Sequence, residues 1–364
     1  MQFLGNVPLY PRSHYARVLT PLLPKQAFEP ARSRLLLVPV WLAVIAFVIV
    51  TIAAGWVPWF VVPALSLVLG ISYAGLTFIG HEVLHGGMVR GRRLQTLVGW
   101  IGFLPFMVSP RLWTAWHNRD HHAHTNLPED PDAYPSLDSY RASRGQRFAV
   151  DAFSLGGRRW RGGLSLILGF TVQSAHQLIT SRKRGMLSRD QHWVALLETG
   201  LGVLVWATVA ALVGFVPFLF VFVLPLLIAN VCVMAFILTN HGLSPRIAIN
   251  DPLISGLTVT TSRLVERLSL GFGYHVEHHL FPALSTRYAP QVRALVQKHW
   301  PDRYQSLPLG KALLGLHRTG RVYKDDITLF DPLTGGEFPT LMPGVPVVIP
   351  AVELAEPALA VAAG

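Results

Sequence analysis

Nine histidines of this chain have a spacing suited to binding metal ions. Eight fall into three clusters, His81-Glu82-Val83-Leu84-His85, His117-Asn118-Arg119-Asp120-His121-His122 and His275-Val276-Glu277-His278-His279, and the ninth is His241, at the end of an apolar stretch. Imidazole is largely neutral near pH 7, so its lone pair is free to bind a metal. Spacings of i, i+3 and i+4 place side chains on one helix face. One ion takes about four to six ligands, so nine histidines predict a dinuclear site.

Polar residues within and beside the clusters could orient the imidazole rings by accepting a ring N–H. The candidates are Asn118, Asp120, Asn240, Glu82 and Glu277, and the alternative is that they are ordinary polar residues of a helix surface. His124 is predicted not to bind metal. The isolated histidines have no partner at ligand spacing and are predicted to be structural: His14, His176, His192, His299 and His317.

The first cluster, taken alone, also matches the pattern of zinc proteases, with Glu82 as the general base. A zinc protease needs three protein ligands, so this interpretation leaves six histidines without a role. It predicts that Glu82→Gln abolishes proteolytic activity. An oxidase, in contrast, should keep its metal after the same substitution. A non-catalytic protein that binds metal or lipid is a further alternative, and it predicts bound metal without oxygen consumption.

The elements that must position these histidines include four apolar stretches. The chain is 51% hydrophobic and 14% charged, which is far more apolar than an average soluble protein. Residues 35–80 contain no charged side chain, and residues 193–240 contain only Glu198. Each stretch is long enough for two membrane crossings of about 20 residues, with Gly and Pro at the turn between them. The predicted spans are 35–54, 59–80, 193–213 and 217–239.

The net charge of +11 is distributed unevenly along the chain. Basic residues precede the first span and crowd residues 81–190, while the two short turns between paired spans carry no charge. By the positive-inside rule, the N-terminus, the central loop and the C-terminal region are cytoplasmic, in a multi-pass protein of the bacterial inner membrane. All nine histidines can then meet on the cytoplasmic face. The basic residues are attracted to anionic lipid head groups of the membrane, and no nucleic-acid partner is expected.

These observations predict an all-α integral membrane protein with four transmembrane helices and a cytoplasmic helical cap that holds the dinuclear metal site. Residues 1–34 form a cytoplasmic N-terminal segment, 35–300 the four-span domain with its cap, and 301–364 a C-terminal extension that is partly disordered from about residue 332. Segments 94–108 and 164–180 are predicted as re-entrant or interfacial helices, and 288–299 as a cap helix. The single cysteine, Cys232, excludes a disulfide framework, and no removable signal peptide is expected.

The order of the three clusters resembles that of the membrane fatty acid desaturase family. The third cluster with its Leu280-Phe281-Pro282 tail is the most specific part of the resemblance, which covers roughly residues 35–300. It implies a di-iron centre whose ligands are His81, His85, His117, His121, His122, His275, His278 and His279, with His241 as an extra ligand. One departure is the three-residue gap between His117 and His121, where many desaturases have two. This gap and Pro128-Glu129-Asp130-Pro131 also resemble integral-membrane alkane hydroxylases.

The resemblance implies oxygen-dependent desaturation of a fatty acyl chain, linked to a lipid or a thioester, by two iron ions with dioxygen as co-substrate. Imidazole alone suits several metals. However, an unactivated methylene has no acidic proton for a base to remove, so its oxidation requires a redox cofactor. The alternative is a di-iron hydroxylase or ketolase acting on alkyl or isoprenoid chains, and the product distinguishes the two.

Two further expectations concern partners and substrate. No haem or flavin segment is expected in this chain, so a separate carrier, such as an acidic ferredoxin-like protein, should deliver electrons to the basic cap. Aromatic residues at the junction of cap and membrane are predicted to line the substrate tunnel: Trp100, Phe103, Trp113 and Trp116. The alternative for these residues is an interfacial aromatic belt.

Overall fold

Four long apolar helices dominate the computed structural model, which describes residues 2–345. They are Arg32–Ala53, Trp59–Leu84, Arg189–Val213 and Phe215–His241, here called the first to fourth spanning helices. The four predicted spans are therefore confirmed as helices that are long and apolar enough to cross a membrane. The third begins with a capping box between Ser188 and Gln191, which satisfies two free N–H groups at its start.

The second and fourth spanning helices extend beyond the predicted limits. The predicted spans ended at residues 80 and 239, but backbone hydrogen bonding continues through His81 in the second helix and reaches His241 in the fourth. Polar residues extend a helix once it has been nucleated, because each adds one backbone hydrogen bond. His81 and His241 consequently lie on the last turns of these two helices.

The second spanning helix packs against the first and fourth spanning helices and against helix Arg92–Phe103. The closest approach is at Gly80 and Gly102, where a Cβ on Gly102 would lie 2.6 Å from the Gly80 Cα. Only glycine permits this contact. It fixes helix Arg92–Phe103 against the turn that carries His81.

Both predicted short apolar helices are present. Helix Arg92–Phe103 continues into a 3₁₀ turn, Leu104–Phe106, which contains Pro105; proline lacks the N–H that an α-helix needs there. Helix Gly163–Thr180 packs along the fourth spanning helix. The predicted cap helix is observed as Ala289–His299.

Shorter elements build the cap between and beyond the spanning helices. The remaining helices are Arg12–Leu19, Pro110–Trp113, His122–His124, Leu137–Ala142, Arg144–Phe153, Pro252–Ser255, Arg263–Leu268, His275–Leu280 and Leu309–Arg318, with a π-helical turn at Thr114–His121. Strands Gln2–Leu4 and Val7–Leu9 pair antiparallel, Thr258–Thr260 and Ser306–Pro308 pair parallel, and Val322–Tyr323, Thr328–Phe330 and Glu337–Pro339 form an antiparallel sheet. The fold is thus predominantly helical, as predicted, with a few two- and three-residue strands added.

The N-terminal segment packs on the cap, as does the part of the C-terminal region that the structure describes. Buried Asp251 accepts hydrogen bonds from the Tyr15 hydroxyl (2.8 Å) and the Tyr10 backbone N–H (2.8 Å), and it pairs with Arg303 (2.7 Å). Helix Leu309–Arg318 packs against the fourth spanning helix. In the predicted disordered tail, strand Glu337–Pro339 is ordered, and residues 346–364 lie outside the described residues.

Candidate metal centre

All nine clustered histidines meet at one end of the spanning helices. The ring nitrogens form two groups, each within 4.8 Å: His81, His85, His117 and His278 in the first group, and His121, His241, His275 and His279 in the second. His122 lies between the groups. Its Nε2 is 3.3 Å from His117 Nε2 and 3.1 Å from His278 Nε2, and its ring stacks on His279 with centroids 4.2 Å apart.

The donor set fits metal ions. His81 Nε2 and His117 Nε2 face each other at 3.1 Å, and His275 Nε2 faces His241 Nε2 at 2.5 Å. The Nε2 atoms of His85 and His279 are buried without a hydrogen-bond partner among the described residues. Buried polar atoms are rarely left unpaired, and converging imidazole lone pairs are satisfied together only by a cation.

Hydrogen bonds fix the ring orientation throughout the second group. The Nδ1 atoms of its members have these neighbours: Asp130 Oδ1 at 2.9 Å from His121, the Ser255 carbonyl at 2.7 Å from His241, the Asn240 amide at 2.9 Å from His275, and Thr125 Oγ1 at 3.2 Å from His279. Asn240 Oδ1 has no other partner, so we orient this amide with its oxygen towards His275. Each Nδ1–H therefore donates outward, which leaves each Nε2 directed into the group.

Burial keeps most of these imidazoles neutral. It lowers the pKa of His85, His117, His122, His275 and His279 well below the usual value, and that of His278 to about 3. Burial acts on His121 in the same direction, but the charge of Asp130 and its hydrogen bond outweigh burial and raise the pKa of His121 to about 9. A neutral imidazole is the form that binds a metal. A metal that binds at His121 must therefore displace a proton.

An apolar cavity of about 600 Å³ adjoins both histidine groups. One side of its wall is formed by four histidines: His117, His121, His241 and His275. Much of the remaining wall is apolar and includes Phe170, Met234, Ile237, Leu238 and Phe272. Trp113 and Trp116 also line the cavity, as predicted for the tunnel. The prediction is wrong for Trp100 and Phe103, which are not in the wall. The Trp100 ring N–H donates to the Glu198 carbonyl instead (2.9 Å), and fully buried Phe103 packs against Trp113.

Comparison with known proteins identifies the family. The family model for fatty acid desaturases matches residues 57–308, a stretch that contains all nine histidines. The chain belongs to the fatty acid desaturase family. This confirms the resemblance seen in the order of the clusters.

Curated relatives of this chain are distant in sequence. An sn-1 oleoyl-lipid 12-desaturase of Arthrospira platensis is 24% identical over 259 residues, covering 67% of this chain and 72% of the relative. The corresponding desaturase of Anabaena variabilis is 24% identical over 315 residues, covering 77% and 81%. A chloroplastic omega-6 fatty acid desaturase of Spinacia oleracea is 21% identical over 297 residues, covering 77% and 63%.

The middle cluster departs from the α-helix that its spacing predicted. Residues Thr114–His121 form a π-helical turn, in which the backbone N–H of His122 donates to the carbonyl of His117 five residues earlier. The wider turn places both His121 and His122 about one helical turn after His117. One helical segment thereby supplies a member to each histidine group. π-Helical turns are rare and occur frequently at functional sites.

Of the five predicted orienting residues, only Asn240 contacts an imidazole of either group. Asn118 instead donates its amide to the Leu84 carbonyl (2.9 Å), and Asp120 pairs with the exposed Arg119 (3.0 Å). The His124 ring bonds to the Asp120 carbonyl (2.9 Å) and belongs to neither histidine group. The helix position of these residues was correct, but their side chains turn away from the site.

The two glutamates inside the clusters hold the helices in place instead of orienting the rings. Glu82 pairs with Arg34 (2.5 Å) and accepts hydrogen bonds from Ser285 (2.6 Å) and Thr286 (3.1 Å). Buried Glu277 accepts from Thr258 (2.6 Å) and Tyr304 (2.5 Å). The expectation that both orient an imidazole is therefore wrong: each acid ties its histidine-bearing helix to a distant segment.

Sequence reasoning missed three groups that orient imidazoles: Asp130, Thr125 and the Ser255 carbonyl. Asp130 is buried and also accepts the Asn126 backbone N–H (2.8 Å) through its second oxygen. A carboxylate in a tight Pro-rich turn soon after the middle cluster was the one available signal. Thr125 and the backbone of Ser255 carry no signal in their residue types.

Proposed function

We propose that this protein desaturates a fatty acyl chain with two iron ions and dioxygen. The first ion is held by His81, His85, His117 and His278, and the second by His121, His241, His275 and His279, with His122 between them completing the ligand set. The observation that carries the proposal is the pair of four-histidine groups, each of which contributes to the wall of an apolar cavity. A hydrocarbon segment in that cavity would lie beside both groups.

The chain contributes position and exclusion of water. The bound iron pair supplies the redox chemistry with dioxygen that oxidation of an unactivated methylene needs. Outward hydrogen bonds from His121, His241, His275 and His279 hold their rings with Nε2 directed into the group before any ion arrives. Burial of the groups beside an apolar cavity keeps water from the reacting carbons.

The substrate we propose is an acyl chain esterified to a membrane lipid, with an acyl thioester as the alternative. The names of the two cyanobacterial relatives support an acyl lipid, and the apolar cavity wall suits a hydrocarbon chain. Removal of two hydrogen atoms from the acyl chain leaves an alkene, and dioxygen is reduced to two water molecules. This reaction requires two further electrons and two protons from outside the site. We assign the electrons to a separate ferredoxin-like carrier, on the cytoplasmic side of a bacterial inner membrane.

A hydroxylase or ketolase acting on alkyl or isoprenoid chains is the second candidate, favoured by the three-residue gap between His117 and His121. An intramembrane zinc protease is disfavoured, because the Glu82 oxygens are engaged by Arg34, Ser285 and Thr286. A general base must be within reach of the proton that it removes.

Expression in a bacterial host, with total fatty acids analysed by gas chromatography–mass spectrometry and iron by plasma mass spectrometry, tests the proposal. We expect new unsaturated acyl chains from the wild type and none from His278→Ala. His299→Ala is the matched control, since His299 is exposed and lies outside both groups. Hydroxylated or keto products would favour the second candidate. Purified protein that binds no iron would overturn the metal assignment.

A further inference from the structure

Residues 141–161, here called the interface segment, expose large aromatic side chains among arginines. Phe148 is 66% exposed and Trp160 is 81% exposed. The segment contains six arginines and one acidic residue, Asp151. Exposed aromatic side chains grouped in one segment indicate a surface that meets another apolar phase.

The helix in this segment is amphipathic. In helix Arg144–Phe153, Arg144, Arg147 and Asp151 share one face at i, i+3 and i+7. The opposite face carries Ala149 and Phe153, and Phe148 stands at the boundary. Short helices with arginines on one side and aromatic or apolar residues on the other are typical of membrane surfaces.

The interface segment lies next to a spanning helix. It leads directly into helix Gly163–Thr180, where the Thr171 backbone N–H donates to Asn230 Oδ1 (3.1 Å) in the middle of the fourth spanning helix. Helix Gly163–Thr180 also exposes Ile179 to the extent of 77%. A segment that joins such a helix begins at the edge of the membrane.

The interface segment also forms the mouth of the apolar cavity. Phe148 and Phe153 line the cavity together with Val172 and His176 of the following helix. Phe148, Val172 and His176 are themselves exposed, so the cavity reaches the surface between these two helices. The opposite end of the cavity is the histidine wall.

Four of the six arginines of this segment are available for anions. Arg159 pairs with Asp151 (3.4 Å) and Asp331 (2.7 Å). Arg141, Arg144, Arg147 and Arg161 are exposed and form no ion pair within residues 2–345. The Arg161 guanidinium lies over the Trp160 ring, 5.8 Å from its centroid. Free arginines beside exposed aromatic rings match the head-group layer of an anionic leaflet.

We propose that the interface segment is embedded in the head-group layer of the membrane, with its arginines on anionic lipids. The cavity mouth then opens sideways into that leaflet, so an acyl chain enters without crossing water. The last step rests on the proposed function. The membrane contact itself does not, and it can be measured without turnover.

The test uses a fluorophore that reports its depth in the membrane. In a Cys232→Ala background, the full chain carries a single cysteine at Phe148→Cys or Trp160→Cys, labelled with nitrobenzoxadiazole and placed in nanodiscs of phosphatidylcholine with phosphatidylglycerol. Leu333→Cys is the matched control, because Leu333 is an equally exposed apolar residue (64%) in the C-terminal extension. We expect blue-shifted emission and quenching by doxyl lipids at positions 148 and 160, and quenching by aqueous iodide at 333.

A second arm tests the anionic lipid. Arg144→Gln with Arg147→Gln should lower the ratio of embedded to detached label by roughly fivefold per arginine in nanodiscs with phosphatidylglycerol. The ratio should change little in phosphatidylcholine alone, and Lys298→Gln, at an exposed site on the cap, should leave it unchanged in both.

Three results would overturn the proposal. Iodide access at positions 148 and 160 equal to that at 333 would place the segment in water. Shielding from both iodide and doxyl lipids would indicate a protein contact instead. An unchanged ratio in the arginine variant would remove the role of anionic lipid. None of these results depends on product formation, so a failure of the desaturase proposal remains distinguishable.

Discussion

The hydrogen bond between Asn240 and His275 provides a sharp test of how the site is preorganised. Asn240 is 1% exposed, and its amide lies 2.9 Å from His275 Nδ1. Asn240→Leu removes the acceptor and keeps a side chain of similar size. In the metal-free protein His275 can move its proton to Nε2, so little is lost. A metal on Nε2 forces the proton to Nδ1, where it is then buried without a partner.

The expected loss follows from that unpaired donor. Leaving a buried donor unsatisfied costs about 1–3 kcal/mol, which corresponds to roughly 5- to 150-fold in affinity for one metal ion. Loss of an outer partner of a metal-bound histidine typically weakens binding by about 10- to 100-fold. We therefore expect about tenfold or more weaker retention at the second group, with the thermal stability of the metal-free protein nearly unchanged.

The assay is retention of iron by the purified protein against increasing concentrations of a chelator. Asn230→Leu is the matched control, since Asn230 is a fully buried asparagine on the same helix, bonded to Thr171 (2.9 Å) and distant from the histidines. It should lower stability and leave iron retention intact. Asn240→Asp restores an acceptor and should restore retention. Wild-type retention in Asn240→Leu would refute the argument.

Three further predictions concern the hydrogen bond to Glu277, the cavity wall and the ion pair of Glu82. Tyr304→Phe removes the hydrogen bond to buried Glu277 and should lower the unfolding free energy by about 1.5–3 kcal/mol, measured by thermal unfolding in detergent; an unchanged midpoint would contradict it. Gly169→Leu adds a side chain against Met234 of the cavity wall, which should narrow the cavity and abolish product, while iron content, measured by mass spectrometry, stays at the wild-type level. Glu82→Gln weakens the pair with Arg34 and should lower stability but preserve iron and unsaturated product. A proteolytic activity of the wild type that Glu82→Gln abolishes with normal folding would favour a protease instead.

The spanning helices and the histidine clusters were predictable because their signals are local. Hydropathy over about 20 residues identifies a span, and the clusters carry rare residue types at helical spacing. The short strands gave no signal, since Val322–Tyr323 is only two residues long. Nor could spacing distinguish the π-helical turn Thr114–His121 from an α-helix, because the same residues fit both.

The orienting contacts depended on the tertiary path and were mostly missed. Glu82 and Glu277 lie on the predicted helices, but helix position alone does not say which neighbour a side chain reaches. Their partners Arg34 and Tyr304 come from segments far away in sequence. Asn240 was predictable because it directly precedes His241, whereas Thr125 reaches His279 only after the whole cap has folded.

The division of the histidines between the two groups also constrains when the protein can mature. Each group contains members of the third cluster, His278 in the first and His275 and His279 in the second. At a translation rate of about 5–20 residues per second, the roughly 200 residues from His81 to His279 take on the order of 10–40 s to synthesise. Neither group is complete before then, so a metal ion could reach its full ligand set only after the last spanning helix has been made. Because an ion that binds only the folded chain stabilises it by mass action, metal supply would set how long newly made protein survives proteolysis.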